Sequence, residues 1–169
     1  MAGPDSCLLA HSNAGFLVPV VRARLSTVQA IVFMDAALLP PEGGTELAPD
    51  RFLQHLTGLA GPDGALPPWT RWWSREDMLE VIPAADYEDI DHECPRLPLS
   101  YFQARVTAPS EWATQPNAYL AFGGTYDEEL CFAMAHGWPH RRLDGQHLHF
   151  LKDPDAVASS VIELASSLR

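Results

Sequence analysis

The sequence predicts an α/β fold in which a parallel sheet of about four strands is flanked by helices and interrupted by an inserted helical cap. β-branched or apolar runs alternate with amphipathic segments at the start of the chain and again at its end. Between these zones, prolines divide the chain into short pieces in which no strand pattern persists. We therefore expect a core built from residues 1–37 and 116–169 and a helical cap insertion at residues 38–115.

The first zone predicts a β-α-β unit. Residues 6–10 form a short unbroken apolar run, typical of a strand buried on both faces, and the chain turns sharply at His11-Ser12-Asn13. Residues 14–25 carry apolar side chains at helical spacing, and residues 28–34 form a second strand that ends at Asp35. Two strands joined by one helix are expected to be parallel, with a right-handed crossover.

The middle zone predicts helices at residues 49–59 and 74–82 and a weaker one at residues 84–93. Ser74 and Asp77 form an N-terminal capping pattern for the second of these. Three tryptophans, Trp69, Trp72 and Trp73, lie close together in this zone. They could line an apolar substrate pocket or could equally pack an otherwise thin cap.

The last zone returns to alternating strands and helices. Residues 117–122 and 140–143 are predicted strands, and residues 128–136 are a predicted helix that is closed by Gly137. A terminal helix is predicted over residues 154–168. This arrangement extends the parallel sheet from two strands to four.

The charge balance excludes several classes of partner. The chain has 11 Lys+Arg and 22 Asp+Glu, a net charge of −11, and its arginines do not cluster, so neither nucleic acid nor an anionic membrane surface is an expected partner. No run approaches the length of a membrane span, and the first residues lack the basic start of a signal peptide. These features predict a cytoplasmic protein with a small-molecule substrate.

Neither a metal nor another cofactor is predicted. The three cysteines, Cys7, Cys94 and Cys131, are widely spaced without a CxxC motif and are interpreted as small packing residues. His147 and His149 are two residues apart and would share a face of an extended segment, as paired metal ligands do. However, no cysteine or carboxylate lies at ligand spacing from them.

Ser12 lies where a sharp strand-to-helix turn would expose it. Such a turn strains the backbone of a nucleophilic serine and lifts its Oγ above the carboxyl edge of the sheet. The strand and helix then pass so close that small residues are needed two positions before and after the serine, and Ala10 and Ala14 occupy these positions. The alternative interpretation of Ser12 is an ordinary helix-capping serine.

A serine, an aspartate and a histidine each follow a predicted strand, in the order Ser12, Asp127 and His147. This is the chain order of the catalytic residues in α/β-hydrolases. The chain resembles that family in the segments Leu8-Leu9-Ala10-His11-Ser12-Asn13-Ala14-Gly15, Val32-Phe33-Met34-Asp35-Ala36 and His147-Leu148-His149-Phe150-Leu151-Lys152-Asp153-Pro154.

The resemblance implies a catalytic triad and an oxyanion hole. Ser12 would be the nucleophile, His147 the general base and acid, and Asp127 the carboxylate that fixes the imidazole tautomer. The backbone N–H of Asn13 would bind the oxyanion. Two alternatives for the carboxylate stay open: Glu128 or Glu129 beside Asp127, and Asp35 at the end of the strand that follows the serine.

The sequence departs from the family at its start. Only eleven residues precede Ser12, whereas α/β-hydrolases have several strands before the serine turn, including the one that leads to the second oxyanion donor. The serine strand would therefore be an edge strand. Because an unpaired apolar edge favours association, we expect a homodimer or a partner chain that covers it.

The leading functional hypothesis is a serine hydrolase that acts on an ester, thioester or lactone of a medium-sized apolar molecule through an acyl-serine intermediate. The alternative is a non-hydrolytic protein on the same scaffold. It would be a degenerate binding or partner subunit, or a cyclase or lyase that uses the pocket for positioning. The absent front strands and the alanines that flank Ser12 favour this alternative.

Overall fold

The computed structural model describes residues 6–168 and divides into two compact units. The sheet unit comprises the described residues up to Thr45 and those from Val106 onwards, and the helical unit comprises Glu46–Arg105. The helical unit is thus shorter at both ends than the predicted insertion of residues 38–115. The difference arises because the chain stays with the sheet unit for several residues on either side of it.

The elements occur in an alternating order at both ends of the chain. The strands are β1 (Ser6–Ser12), β2 (Val28–Ala36), β3 (Gly44–Glu46), β4 (Arg105–Thr107), β5 (Asn117–Phe122) and β6 (His140–Leu143). The α-helices are α1 (Val18–Arg22), α2 (Asp50–Leu59), α3 (Arg75–Val81), α4 (Tyr87–Glu93), α5 (Leu99–Phe102), α6 (Asp127–Ala135), α7 (His149–Lys152) and α8 (Pro154–Ser166). No helix within residues 6–168 is both long enough and apolar enough to cross a membrane.

Four parallel strands form the main sheet in the order β1-β2-β5-β6. The predicted fold class, a parallel α/β sheet of about four strands flanked by helices, is therefore confirmed. Ser12, the last residue of β1, pairs with Ala36, the last residue of β2. Because the strands are parallel, Ser12, Asp35 and the loop that follows β5 all lie at the carboxyl end of the sheet.

Both faces of the two central strands, β2 and β5, are covered, which explains why these strands are almost entirely buried and largely apolar. The edge strands differ: β1 was expected to be buried on both faces but is only partly buried, and β6 is mostly exposed. On one face, Phe33 and Tyr119 pack with Leu130 of α6 and Trp138, and on the other, Phe122 belongs to a cluster completed by α8. Neighbouring residues of β2 and β5 alternate between the two clusters, as the pleat of a strand requires.

The turn after β1 requires a glycine at position 15, one residue beyond the small residue Ala14 that the sequence analysis singled out. Ala10 is buried in the core, but the closest backbone approach occurs at Gly15, where an added Cβ would lie 1.9 Å from the carbonyl oxygen of Ala37. Gly15 belongs to a single turn of 3-10 helix, Asn13–Phe16, that separates β1 from α1.

Strand β1 forms one edge of the sheet as far as the described residues extend, with β2 on its other side. Its Leu9 side chain is 50% exposed. An exposed apolar residue on an edge strand is a favourable site for pairing with another chain. The homodimer or partner chain expected from the sequence stays a prediction.

The helical unit has its own apolar core, made of Ala48, Leu56, Leu66, Trp72 and Phe102. Helices α2, α3 and α4 correspond to the three predicted ones, although α4 begins three residues later than expected, and the short helix α5 was not predicted. Ser74 caps α3 by accepting a hydrogen bond from the Asp77 N–H at 3.1 Å. Strands β3 and β4, which flank the unit in sequence, pair with each other. They were not predicted because each has only three residues and none of these is fully buried.

Candidate active site

Ser12 adopts a strained backbone conformation at the end of β1. Its φ of 57° and ψ of −136° lie in a region that residues with a side chain rarely occupy. The Ser12 carbonyl accepts a hydrogen bond from the Ala37 N–H at 3.1 Å, which ties the turn to the segment that follows β2. Asn13, the predicted oxyanion residue, comes next and begins the 3-10 turn. This conformation differs from that of an ordinary helix cap, and the Ser12 side chain accepts no capping hydrogen bond. Backbone strain of this kind is expected at a nucleophile turn.

His147 is held by a buried carboxylate. Its Nδ1 lies 2.6 Å from Oδ2 of Asp35, whose side chain is 0% exposed, and the other oxygen of Asp35 accepts the backbone N–H of Phe122 at 2.8 Å. A carboxylate that accepts from Nδ1 places the imidazole proton on that nitrogen and leaves Nε2 as the basic atom. Asp35 therefore fixes both the tautomer and the orientation of His147.

Asp127 does not perform this role, so the sequence assignment of the acid is corrected. Its carboxylate is 57% exposed and pairs with Arg142, and the residue begins helix α6, where a negative charge suits the helix dipole. The open alternative, Asp35, is the partner of the imidazole. Asp35, the next-to-last residue of β2, has a φ of 42°, a left-handed conformation that aspartate tolerates better than most residues.

The loop that carries His147 approaches the end of β5 closely. Gly123 follows β5 with a φ of 55°, and an added Cβ there would lie 2.5 Å from the carbonyl oxygen of Gly145. Glycine at position 123 thus allows the two loops to approach each other and brings His147 to the carboxyl end of the sheet, where Ser12 and Asp35 lie. His149 is directed elsewhere, with its ring against Phe122 at 5.6 Å between centroids, so the two histidines do not act as a pair.

His11, which sequence analysis did not assign to the site, supports the same loop. Its Nε2–H donates to the carbonyl oxygen of His147 at 2.9 Å, and the two rings stack with their centroids 4.3 Å apart. Phe150 packs edge-on against the other side of the His11 ring. Burial, and secondly the charge of His147, lower the pKa of His11 to about 4, against which its hydrogen bond to His147 and the Asp35 charge act more weakly.

The lowered pKa of His11 predicts a loss of stability in weak acid. The unfolded chain takes up a proton at His11 near pH 6.5, whereas the folded protein does so only near pH 4. Above pH 6.5 His11 is neutral in both states and its contribution to the free energy of unfolding is complete. As the pH falls toward 4, the free energy of unfolding decreases by up to about 3 kcal/mol, because only the unfolded chain takes up the proton. Urea denaturation across this range should show a smaller loss of unfolding free energy for His11→Gln than for the wild type. The exposed control His92→Gln should lose as much as the wild type. Equal losses in all three proteins would contradict the prediction.

Tyr126 completes the group of side chains around Ser12. Its hydroxyl oxygen lies 3.5 Å from Ser12 Oγ, and its ring centroid lies 5.6 Å from that of His147. Sequence analysis gave this residue no function, because a tyrosine in a loop before a helix carries no recognisable motif.

The predicted pocket tryptophans lie in the helical unit and differ in exposure. Trp72 is a core residue: it is buried, it packs edge-on against Phe102, and its indole N–H donates to the carbonyl of Pro67 at 2.9 Å. The packing alternative therefore holds for Trp72. Trp73 is 41% exposed and stacks on Phe52. Trp69 packs edge-on against Trp73. For Trp69 and Trp73 the pocket role stays a prediction.

The sheet unit has an open cavity of about 510 Å³ beside the segment that follows Asp35. Its walls come from two segments, the stretch after β2 and helix α6. They consist of Leu38, Leu39, Pro40, Pro41, Gly44, Thr45, Glu128, Glu129 and Phe132. A volume of this size fits a small molecule.

The chain resembles several solved structures. No protein-family model and no curated protein matches it. An extracellular α/β-hydrolase from a Paenibacillus species superposes with a TM-score of 0.73 and 16% identity, over 95% of this chain and 72% of that one. A methylesterase from Arabidopsis gives 0.67 and 14%, over 96% and 70%, and a tomato methylketone synthase variant gives 0.65 and 9%, over 100% and 74%. At these identities the likeness concerns architecture, and it leads to the same conclusion as the sequence motifs: the chain has the α/β-hydrolase fold.

Proposed function

We propose that this protein is a serine hydrolase that cleaves an ester, thioester or lactone of a medium-sized apolar molecule through an acyl-serine intermediate. The observation that carries the proposal is the 2.6 Å hydrogen bond between His147 Nδ1 and Asp35. This hydrogen bond lies at the same end of the sheet as the strained Ser12, and it leaves Nε2 of the imidazole as the basic nitrogen. The fold is compatible with the proposal, but both hydrolases and a synthase have it. The proposal therefore depends on Ser12, Asp35 and His147 and not on the fold alone.

In the proposed reaction, Nε2 of His147 takes the proton from Ser12 Oγ as this oxygen attacks the carbonyl carbon. The carbonyl oxygen becomes an oxyanion, for which the Asn13 N–H is the proposed donor. Collapse breaks the bond to the leaving group, which receives the proton from His147, and leaves an ester on Ser12. Water then repeats the sequence with His147 as base, which releases the acid and restores the serine. The buried charge of Asp35 stabilises the imidazolium in both halves of the reaction.

The proposed substrate class draws on the cavity in the sheet unit, which lies beside the segment after Asp35. Its apolar lining of leucine, proline and phenylalanine suits a hydrocarbon or aromatic group. Glu128 and Glu129 also line it, and the chain carries a net charge of −11, so an anionic substrate would be repelled. We therefore propose a neutral substrate of medium size.

A fluorophosphonate probe, which reacts with an activated serine, tests the proposal. We expect the wild type to be labelled and Ser12→Ala to be unlabelled with nearly unchanged thermal stability, because the substitution removes one hydroxyl. The matched control Ser26→Ala removes an exposed serine from the same unit and should be labelled like the wild type. A folded wild type that is not labelled would reject the acyl-serine mechanism and favour the non-hydrolytic alternative.

A further inference from the structure

Tyr126 occupies a position from which it can take part in the chemistry at Ser12. It lies in the loop after β5, directly before helix α6, and its ring is partly buried, with its centroid 5.6 Å from that of His147. Its hydroxyl oxygen is 3.5 Å from Ser12 Oγ. The phenol of Tyr126, the imidazole of His147 and the hydroxyl of Ser12 thus lie together at the carboxyl end of the sheet, although they come from three separate segments of the chain.

The phenol is in the form that can donate a hydrogen bond. Burial raises the pKa of Tyr126 above its usual value, and the carboxylates of Asp35 and Glu129 raise it further, while the contact with Ser12 acts in the opposite direction. Tyr126 therefore keeps its proton over the pH range in which a histidine acts as a base.

The distance to Ser12 indicates which atom Tyr126 would meet during a reaction. When Oγ attacks a carbonyl, the oxygen of that carbonyl is two covalent bonds away from Oγ and gains a negative charge. A donor that already lies 3.5 Å from Oγ can reach this oxygen with a small movement of substrate. Donors aimed at the developing charge lower the barrier most when they are held in place and partly shielded from water, as Tyr126 is.

We propose that the Tyr126 hydroxyl is an oxyanion donor that acts together with the Asn13 N–H. This inference rests on the proposed serine hydrolase mechanism. Tyr126 forms and breaks no covalent bond: its proton stays on the phenol, and the hydrogen bond it donates is strongest in the tetrahedral intermediate. In α/β-hydrolases a backbone N–H from a segment before the serine turn contributes to this hole, so a side chain that arrives from the loop after β5 is a different solution.

Steady-state kinetics of Tyr126→Phe test the proposal with two esters of the same acid, one with a nitrophenol and one with an alkyl alcohol as leaving group. We expect kcat to fall by about 10²–10³ for both esters, with KM changed little, because the lost hydrogen bond exists mainly in the transition state. Tyr101→Phe is the matched control, since it removes a tyrosine hydroxyl from helix α5 of the helical unit, and its kcat should equal that of the wild type.

The outcomes separate the two proposals. If the wild type neither hydrolyses the esters nor reacts with the fluorophosphonate, the proposed function fails and the role of Tyr126 fails with it. If the wild type is active and Tyr126→Phe keeps its kcat within about threefold, a change far below that of a lost oxyanion donor, only the role of Tyr126 is overturned. A loss confined to the alkyl ester would assign Tyr126 to the leaving group and would overturn the oxyanion assignment.

A second variant covers the case in which Tyr126→Phe does not fold. Fluorinated tyrosine at position 126 keeps the shape of the side chain and lowers the pKa of the phenol. Because a donor must be protonated, the alkaline limb of the kcat profile should move to lower pH. A tyrosine that serves only packing would leave the profile in place, and that result would reject the proposal.

Discussion

Asp35→Asn is expected to lower kcat by about 10⁴, the size of the effect when the aspartate of a serine protease triad is replaced by asparagine. The amide can still accept the Phe122 N–H through its oxygen, so the fold should persist. Its NH2 group, however, would face Nδ1 of His147 and force the imidazole proton onto Nε2. The base would then have no free lone pair for the proton of Ser12.

Asp127→Asn is the matched control, because it makes the same chemical change in a carboxylate that the sequence motif equally favours. Its partner is Arg142 at an exposed position, where an ion pair contributes little to stability. We expect kcat within a few-fold of the wild type. A collapse of kcat in Asp127→Asn with an active Asp35→Asn would show that the acid is Asp127 and that the His147–Asp35 bond is structural.

Gly15→Ala is expected to destabilise the sheet unit by at least about 3 kcal/mol, at or above the upper end of ordinary overpacking. The added Cβ would lie 1.9 Å from the oxygen and 3.0 Å from the carbon of the Ala37 carbonyl. Both are backbone atoms that cannot rotate away as a flexible side chain would. Relief therefore requires a shift of the segment that links β2 to the site, and activity should fall together with stability.

Thermal and urea denaturation of Gly15→Ala measure this effect. Gly124→Ala is the control within the same unit, because its Cβ would meet only the Asp127 side chain, at an ordinary contact distance of 3.4 Å. It should unfold within about 1 kcal/mol of the wild type. If Gly15→Ala were as stable as Gly124→Ala, the close passage of the 3-10 turn over Ala37 would be refuted.

Hydrophobic patterns and turn residues together predicted the sheet. Strands β5 and β6 have the predicted bounds: β5 is a short apolar run that ends before Gly123, whereas β6 is mostly polar and is delimited by Pro139 and the loop after it. The position of Ser12 could be predicted as well, since the turn depends on its immediate neighbours. The ends of the inserted segment were less accessible, because β3 and β4 are held by their pairing with each other and by no apolar pattern of their own.

The carboxylate that contacts His147 could not be predicted from local sequence. Asp35 and Asp127 both follow apolar strands, and what separates them is their surroundings in the folded chain. Arg142, one strand away, neutralises Asp127, whereas Asp35 is enclosed between β1 and β5 with His147 above it. Tyr126 was missed for the same reason: its proximity to Ser12 joins residues that are 114 positions apart.

The two ends of the helical unit are adjacent. The Leu47 N–H donates to the Ala104 carbonyl at 3.1 Å, and Glu46 forms an ion pair with Arg105 at 2.8 Å. An insertion whose ends meet in this way adds little constraint to the chain that carries it, because a tight turn could join the same two points. During evolution such a segment can be lengthened, exchanged or lost without changing the register of β1, β2, β5 and β6. Ser12, His147 and the buried carboxylate of Asp35 are all encoded outside this segment, so changes in it leave these three positions in the sequence untouched.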